Sequence, residues 1–171
     1  MAYDELLKHR DPDPLGAVAV TWCTWGRQRI LTDARIVNAV IHAIRDIETR
    51  GHCRIHAYVV MPDHVHCLLT LSGTRSLYDV VRAFKAVATR EARIREALRF
   101  GKVWQRGYYE HRVRHDEDLC AQARYIVANP LRAGMVTRVV DYPWWFAEWA
   151  PPPFGRGDSA EKAEKAEKAC D

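Results

Sequence analysis

His64 and His66 stand two residues apart in Tyr58-Val-Val-Met-Pro-Asp-His-Val-His-Cys-Leu-Leu-Thr70, where two β-branched apolar runs meet at Pro62-Asp63. Side chains alternate along a strand, so the two imidazoles share a face, about 7 Å apart along it, while Val65, Cys67, Leu69 and Leu71 take the buried face. Two imidazoles so placed converge on one divalent metal if a third donor comes from elsewhere. A second cluster of chemical interest is Gln122, Tyr125 and Asn129. Helical spacings of three and four put these three on one stripe, away from Leu119, Ala123 and Ile126. A phenol has a pKa near 10 and needs help to ionise. A metal on His64 and His66 supplies that help by polarising a phosphate, or through Asn129 or Gln122 as a neutral oxygen ligand beside Tyr125.

Other constellations are weaker. A structural zinc site drawn from His52, Cys53, His56, His64, His66 or Cys67 needs closed four-ligand geometry, yet Cys53 and Cys67 face away from His56 and His66. A histidine-triad nucleotide hydrolase needs a third alternating histidine, where Leu68 stands. Cations that suit phosphate are Arg27 and Arg29 after Trp25-Gly26, then Arg82, Lys85 and Arg93 on one helix stripe, and Arg106, Arg112 and Arg114 around the next strand.

These residues need elements to hold them. Ala17–Trp25 is β-branched and aromatic and predicts the first strand. Thr32 or Asp33 caps a helix with Ile36, Val37, Val40, Ile41, Ile44 and Ile47 on its apolar face, ending at Gly51. Cys53–Met61 and His64–Leu71 form a tight hairpin. Ser76 and Asp79 open a long helix to about Phe100, with Phe84, Ile94 and Leu98 among its buried residues and Gly101 as its stop. Val103–Val113 predicts a fourth strand, and Asp116 caps a third helix from Glu117 to about Asn129. An aromatic run, Tyr142 to Trp149, packs the C-terminal part onto the body. The order is the split βαβ pattern: an α+β, ferredoxin-like antiparallel sheet with helices on one side and an additional C-terminal helix.

The 171 residues suit one domain, 15–150, between a flexible leader at 1–14 and a low-complexity tail at 151–171 with Glu-Lys-Ala repeats. The net charge is +4; residues 155–171 carry four basic and five acidic groups, which leaves +5 on the rest. That excess alone is weak evidence for nucleic acid. No run nears the roughly 18 apolar residues of a membrane span. The five cysteines form no Cys-x-x-Cys pair and no secretory leader opens the chain, so a cytoplasmic protein with reduced thiols is expected.

The block Met61-Pro-Asp-His-Val-His66, with Trp104-Gln-Arg-Gly-Tyr-Tyr109 and Tyr125-Ile-Val-Ala-Asn-Pro-Leu-Arg-Ala-Gly-Met-Val136, resembles the single-tyrosine transposases of the HUH superfamily, and among them the REP-associated group. The resemblance covers about residues 15–150. It implies that His64 and His66 bind the metal, that Tyr125 is the catalytic nucleophile, and that Asn129 is a further metal ligand, with Gln122 the alternative. It also implies Mg²⁺ or Mn²⁺ as cofactor and hairpin or single-stranded DNA as partner, cleaved to a 5′-phosphotyrosine and a free 3′-hydroxyl. The expected setting is the nucleoid, as a monomer or a homodimer with swapped tyrosine helices. Thr21-Trp-Cys-Thr-Trp25 is a loose version of the family pattern, and the tail is not part of it. The rival is a domesticated protein that binds hairpin DNA without cutting it.

Overall fold

The computed structural model of the chain describes residues 16–95, 97, 101–113 and 119–149. The leader, the tail, Leu98, Phe100, Arg114 and the expected cap Asp116 lie outside them. Five strands form one sheet: β1 (Ala17–Cys23), β2 (Cys53–Met61), β3 (His64–Leu71), β4 (Tyr109–Arg112) and β5 (Trp145–Ala147). Their order is β4-β1-β3-β2-β5, and every pairing is antiparallel. The helices are α1 (Ala34–Thr49), α2 (Leu77–Ile94), α3 (Leu119–Val127) and the one-turn α4 (Asn129–Arg132).

Local chemistry accounts for the helix starts. The Asp33 carboxylate accepts the Arg35 N–H to open α1, and Ser76 Oγ accepts the Asp79 N–H to open α2. Each helix lays its apolar stripe on the same face of the sheet, where Val20, Trp22, Val60, Val65 and Leu69 meet Val37, Ile44 and Phe84. Phe84 sits 4.5 Å from the Trp22 ring, centroid to centroid. Burying each such large side chain stabilises the fold by about 1.5–3 kcal/mol.

The other face is covered too. Ala57, Val59, Met61 and Leu68 form a second core with Ala123 and Ile126 of α3, together with Tyr142, Trp145 and Ala147. Alternation along β3 puts His64, His66 and Leu68 on one face. The histidines therefore share a face with the additional helix, opposite α1 and α2. The aromatic run ties down as expected: the Tyr142 hydroxyl donates to Val60 O at 2.7 Å, and residues 145–147 add the fifth strand.

Several expected boundaries move. The fourth strand shrinks from 103–113 to Tyr109–Arg112, with Trp104 making a single bridge to Thr24. Here the Lys85 ammonium donates to Gln105 O and Gly107 O at 2.8 Å each, so those carbonyls are engaged outside the ladder. The third helix divides at Ala128, because Pro130 has no N–H to give Ile126 O. Helix α2 ends at Ile94, short of Gly101, and Ile94 is 67% exposed where its spacing predicts burial.

Candidate active site

The hairpin turn and the β1–β3 register build the centre. Pro62-Asp63 reverses the chain, and His64 and His66 follow on β3 opposite Cys23 and Thr21 of β1. The two Nε2 atoms approach to 3.1 Å. Each ring is held from behind: His64 Nδ1 pairs with Asp63 Oδ1 at 2.6 Å, and His66 Nδ1 with Thr21 Oγ1 at 2.7 Å. With Nδ1 of each ring engaged from behind, both Nε2 atoms aim at one point, an arrangement that suits a cation or a shared proton between them. Burial, reinforced by His64 and Arg27, lowers the His66 pKa to about 4, so this imidazole is neutral and available as a ligand near pH 7.

The residues fit a divalent metal. Two nitrogens at about 2.1 Å from one octahedral ion lie about 3.0 Å apart, close to the separation here. Among the described residues no cluster of three or more His, Cys, Asp and Glu side chains supplies a complete ligand set. Remaining positions therefore fall to amide oxygens, water or a phosphate oxygen.

A further shell supports the histidines. Arg27 Nε lies 2.9 Å from Asp63 Oδ2, and its Nη1 donates to Cys23 Sγ at 2.8 Å. Arg27 adopts φ +57°, a left-handed conformation that costs a non-glycine residue about 1–2 kcal/mol, straight after Gly26 at φ +60°. Its side-chain bonds and its N–H to Thr24 O offset that strain. Buried Thr24 donates its backbone N–H to Asp63 O at 2.9 Å, fixing the turn to the end of β1.

Tyr125 projects from α3 and is 54% exposed, with the Arg132 guanidinium 4.1 Å from its ring centroid. Ala123 and Ile126 of the same helix are buried against the histidine-bearing face. Gln122 is half-buried and engaged in a contact of its own. Asn129 begins α4, and its Nδ2 donates to Tyr125 O at 3.1 Å and Ile126 O at 2.9 Å. The amide thereby replaces the N–H that Pro130 lacks. The same bonds orient the side chain, leaving Oδ1 as its acceptor.

The candidate DNA cations do not form one patch. Arg27 is engaged beneath His64 and Lys85 in the 105–107 loop, where burial lowers its pKa to about 8. Arg82 pairs with Asp79 at 3.6 Å. Arg93, Arg106 and Lys85 line a groove of about 640 Å³ between α2 and residues 101–106, together with Arg90 and Lys102. Arg29 and Arg112 are exposed elsewhere. His56 is buried, bonded to Thr70 Oγ1 at 2.8 Å and Glu148 Oε1 at 3.1 Å, and is a structural residue at the β2 bulge. Sequence reasoning missed Thr21 and gave Asp63 only a turn-forming role. Thr21 depends on a β1–β3 register that local periodicity does not reveal, whereas Asp63 reaches the ring of its sequence neighbour His64.

Residues 16–129 match the family model described as "Transposase IS200 like". The chain belongs to the IS200-like transposase family. It is 32% identical over 104 residues to the REP-associated tyrosine transposase of Escherichia coli (strain K12), an alignment covering 60% of this chain and 59% of that one. It is 28% identical over 92 residues to the ISDra2 transposase TnpA of Deinococcus radiodurans, covering 51% and 65%. The chain thus spans under two thirds of the length of these curated relatives. Among solved structures, a REP-associated tyrosine transposase bound to a REP hairpin superposes with a TM-score of 0.67 at 26% identity, covering 89% of this chain and 92% of that one. No helix among the described residues of this family member is long and apolar enough to cross a membrane.

Proposed function

We propose that this IS200-like transposase is a metal-dependent, single-strand DNA endonuclease and strand transferase that uses Tyr125 as its nucleophile on hairpin, REP-like DNA. The observation that carries the reading is the 3.1 Å convergence of His64 and His66 Nε2 on the face covered by the Tyr125 helix. His64 and His66 would hold Mg²⁺ or Mn²⁺, with Asn129 Oδ1, or Gln122 in its place, as the further protein ligand. Bound there, the ion withdraws charge from a phosphate and makes it a better electrophile. Asp63 and Thr21, with Arg27 behind Asp63, keep the imidazoles oriented with Nε2 toward the centre.

The Tyr125 oxygen attacks the phosphorus as its phenolic proton leaves to solvent. The P–O3′ bond breaks, the 3′-oxygen takes up a proton, and a 5′-phosphotyrosine remains. A phenolate is a better leaving group than an alkoxide, so a 3′-hydroxyl can attack that phosphorus, release Tyr125 and rejoin the strand without an external energy source. Support for the hairpin substrate comes from the relative solved with a REP hairpin. The test is incubation of the full chain with labelled hairpin DNA and Mn²⁺. A denaturation-resistant adduct is expected, absent in Tyr125→Phe. An adduct undiminished in Tyr125→Phe overturns the mechanism, and hairpin binding without any adduct favours the non-cutting reading.

A further inference from the structure

Beside the histidine pair lies a cleft of about 440 Å³ between the end of β1 and residues 105–109, with Thr21 and Cys23 on one wall and Gln105, Arg106 and Tyr109 on the other. Its volume falls in the range of small-ligand sites. The register fixes its relation to the metal-binding pair: Tyr109, Thr21 and His66 are direct neighbours across β4, β1 and β3, so their side chains share a face. With strands about 4.8 Å apart, Tyr109 stands about 10 Å from His66. Thr21, the residue bonded to His66 Nδ1, is also part of the cleft wall.

Tyr109 is 71% exposed, the most exposed large hydrophobic residue among those described, on a sheet whose other large apolar side chains are mostly buried. Packing does not account for it. The segment carrying it is nevertheless held still: Gln105 N–H donates to Cys23 O at 2.9 Å, and Lys85 holds the Gln105 and Gly107 carbonyls. A rigidly presented, solvent-facing ring beside an exposed arginine suits a flat, π-faced ligand attached to an anion. Arg106 lines both this cleft and the basic groove toward Arg93, so an anionic backbone has a continuous cationic path from groove to cleft.

We infer that this cleft seats one unpaired nucleobase of single-stranded DNA, stacked on Tyr109, with Arg106 on the adjoining phosphate and the Gln105 amide at the base edge. The inference rests on the DNA-cleaving reading of the site for its biological meaning, and it adds a base-holding subsite that fixes where the strand lies relative to His66. A base inside a duplex has no free face to offer Tyr109, so the cleft discriminates for unpaired DNA.

The experiment needs no cleavage. Full-length protein in EDTA is titrated against fluorescein-labelled dT15 and against a 15-base-pair duplex, with binding read by fluorescence anisotropy. Stacking on one ring predicts that Tyr109→Ala weakens dT15 binding roughly 5- to 150-fold, that Tyr109→Trp restores it, and that duplex affinity is unchanged in both. Equal dT15 binding by Tyr109→Ala and the unaltered chain overturns the inference. So does parallel loss of duplex binding, or failure of Tyr109→Trp to restore. Absence of a Tyr125 adduct, with Tyr109-dependent binding intact, counts against the cleavage reading and leaves the cleft standing.

Discussion

At the scale of single residues, the centre is a pair of rings whose direction is set by what lies behind them. Asp63 and Thr21 touch no metal position, yet each engages the Nδ1 of one histidine and so decides which nitrogen faces the centre. Asp63→Asn should lower Mn²⁺ affinity 10- to 100-fold by calorimetry, the usual effect of losing an outer partner of a metal-bound histidine, while hairpin binding stays near normal. Unchanged Mn²⁺ affinity would show that the carboxylate serves only the turn. His64→Ala goes further: cleavage should vanish with hairpin binding retained, and an equal loss of binding would assign the histidines to the fold or the DNA. Asn129 separates two roles in one side chain. Asn129→Asp keeps an oxygen and loses the N–H donors to Tyr125 O and Ile126 O, so stability should fall by about 1 kcal/mol in urea unfolding with Mn²⁺ affinity kept. Asn129→Ala should lose both. Unchanged Mn²⁺ affinity in Asn129→Ala would show that Oδ1 is not a ligand.

At the scale of elements, the helices, the hairpin and the ferredoxin-like order were legible because apolar periodicity and capping residues are local signals. The His64–His66 pair was legible for the same reason, since alternation is local. Most of what escaped the reading depends on partners distant in sequence. The 105–107 loop reads as strand, yet its carbonyls are engaged by Lys85, twenty residues earlier, and Thr21 joins the site through pairing with a strand 45 residues on. Lys85 therefore belongs to the scaffold, and its titration gives a test. Burial lowers its pKa to about 8, against about 10.4 in an unfolded chain. Between those values the unfolded state holds more proton, so this group's contribution is present above about pH 10.4 and is lost as pH falls through about 8. The stability difference between the unaltered chain and Lys85→Met, from urea titrations at pH 7.5, 8.5 and 9.5, should shift with rising pH in favour of lysine. A pH-independent difference would mean that Lys85 is solvated and not tied to the loop.

At the scale of the whole molecule, the question is whose histidines Tyr125 serves. Helix α3 buries Ala123 and Ile126 against β2 and β3 of its own chain, and the same core takes in Tyr142, Trp145 and Ala147. An exchanged helix would fill the same core in a second copy, but the single chain already closes that core with its own Ala123 and Ile126. The Tyr125 helix should therefore act on the histidines of its own chain. Mixing His64→Ala protein with Tyr125→Phe protein tests this directly. An exchanged-helix dimer would unite an intact histidine pair with an intact tyrosine in one of its two sites and recover adduct on labelled hairpin DNA. No recovery is expected at any mixing ratio, including after partial unfolding and refolding together, and recovery toward half the unaltered level would show that the packed helix is exchanged between chains.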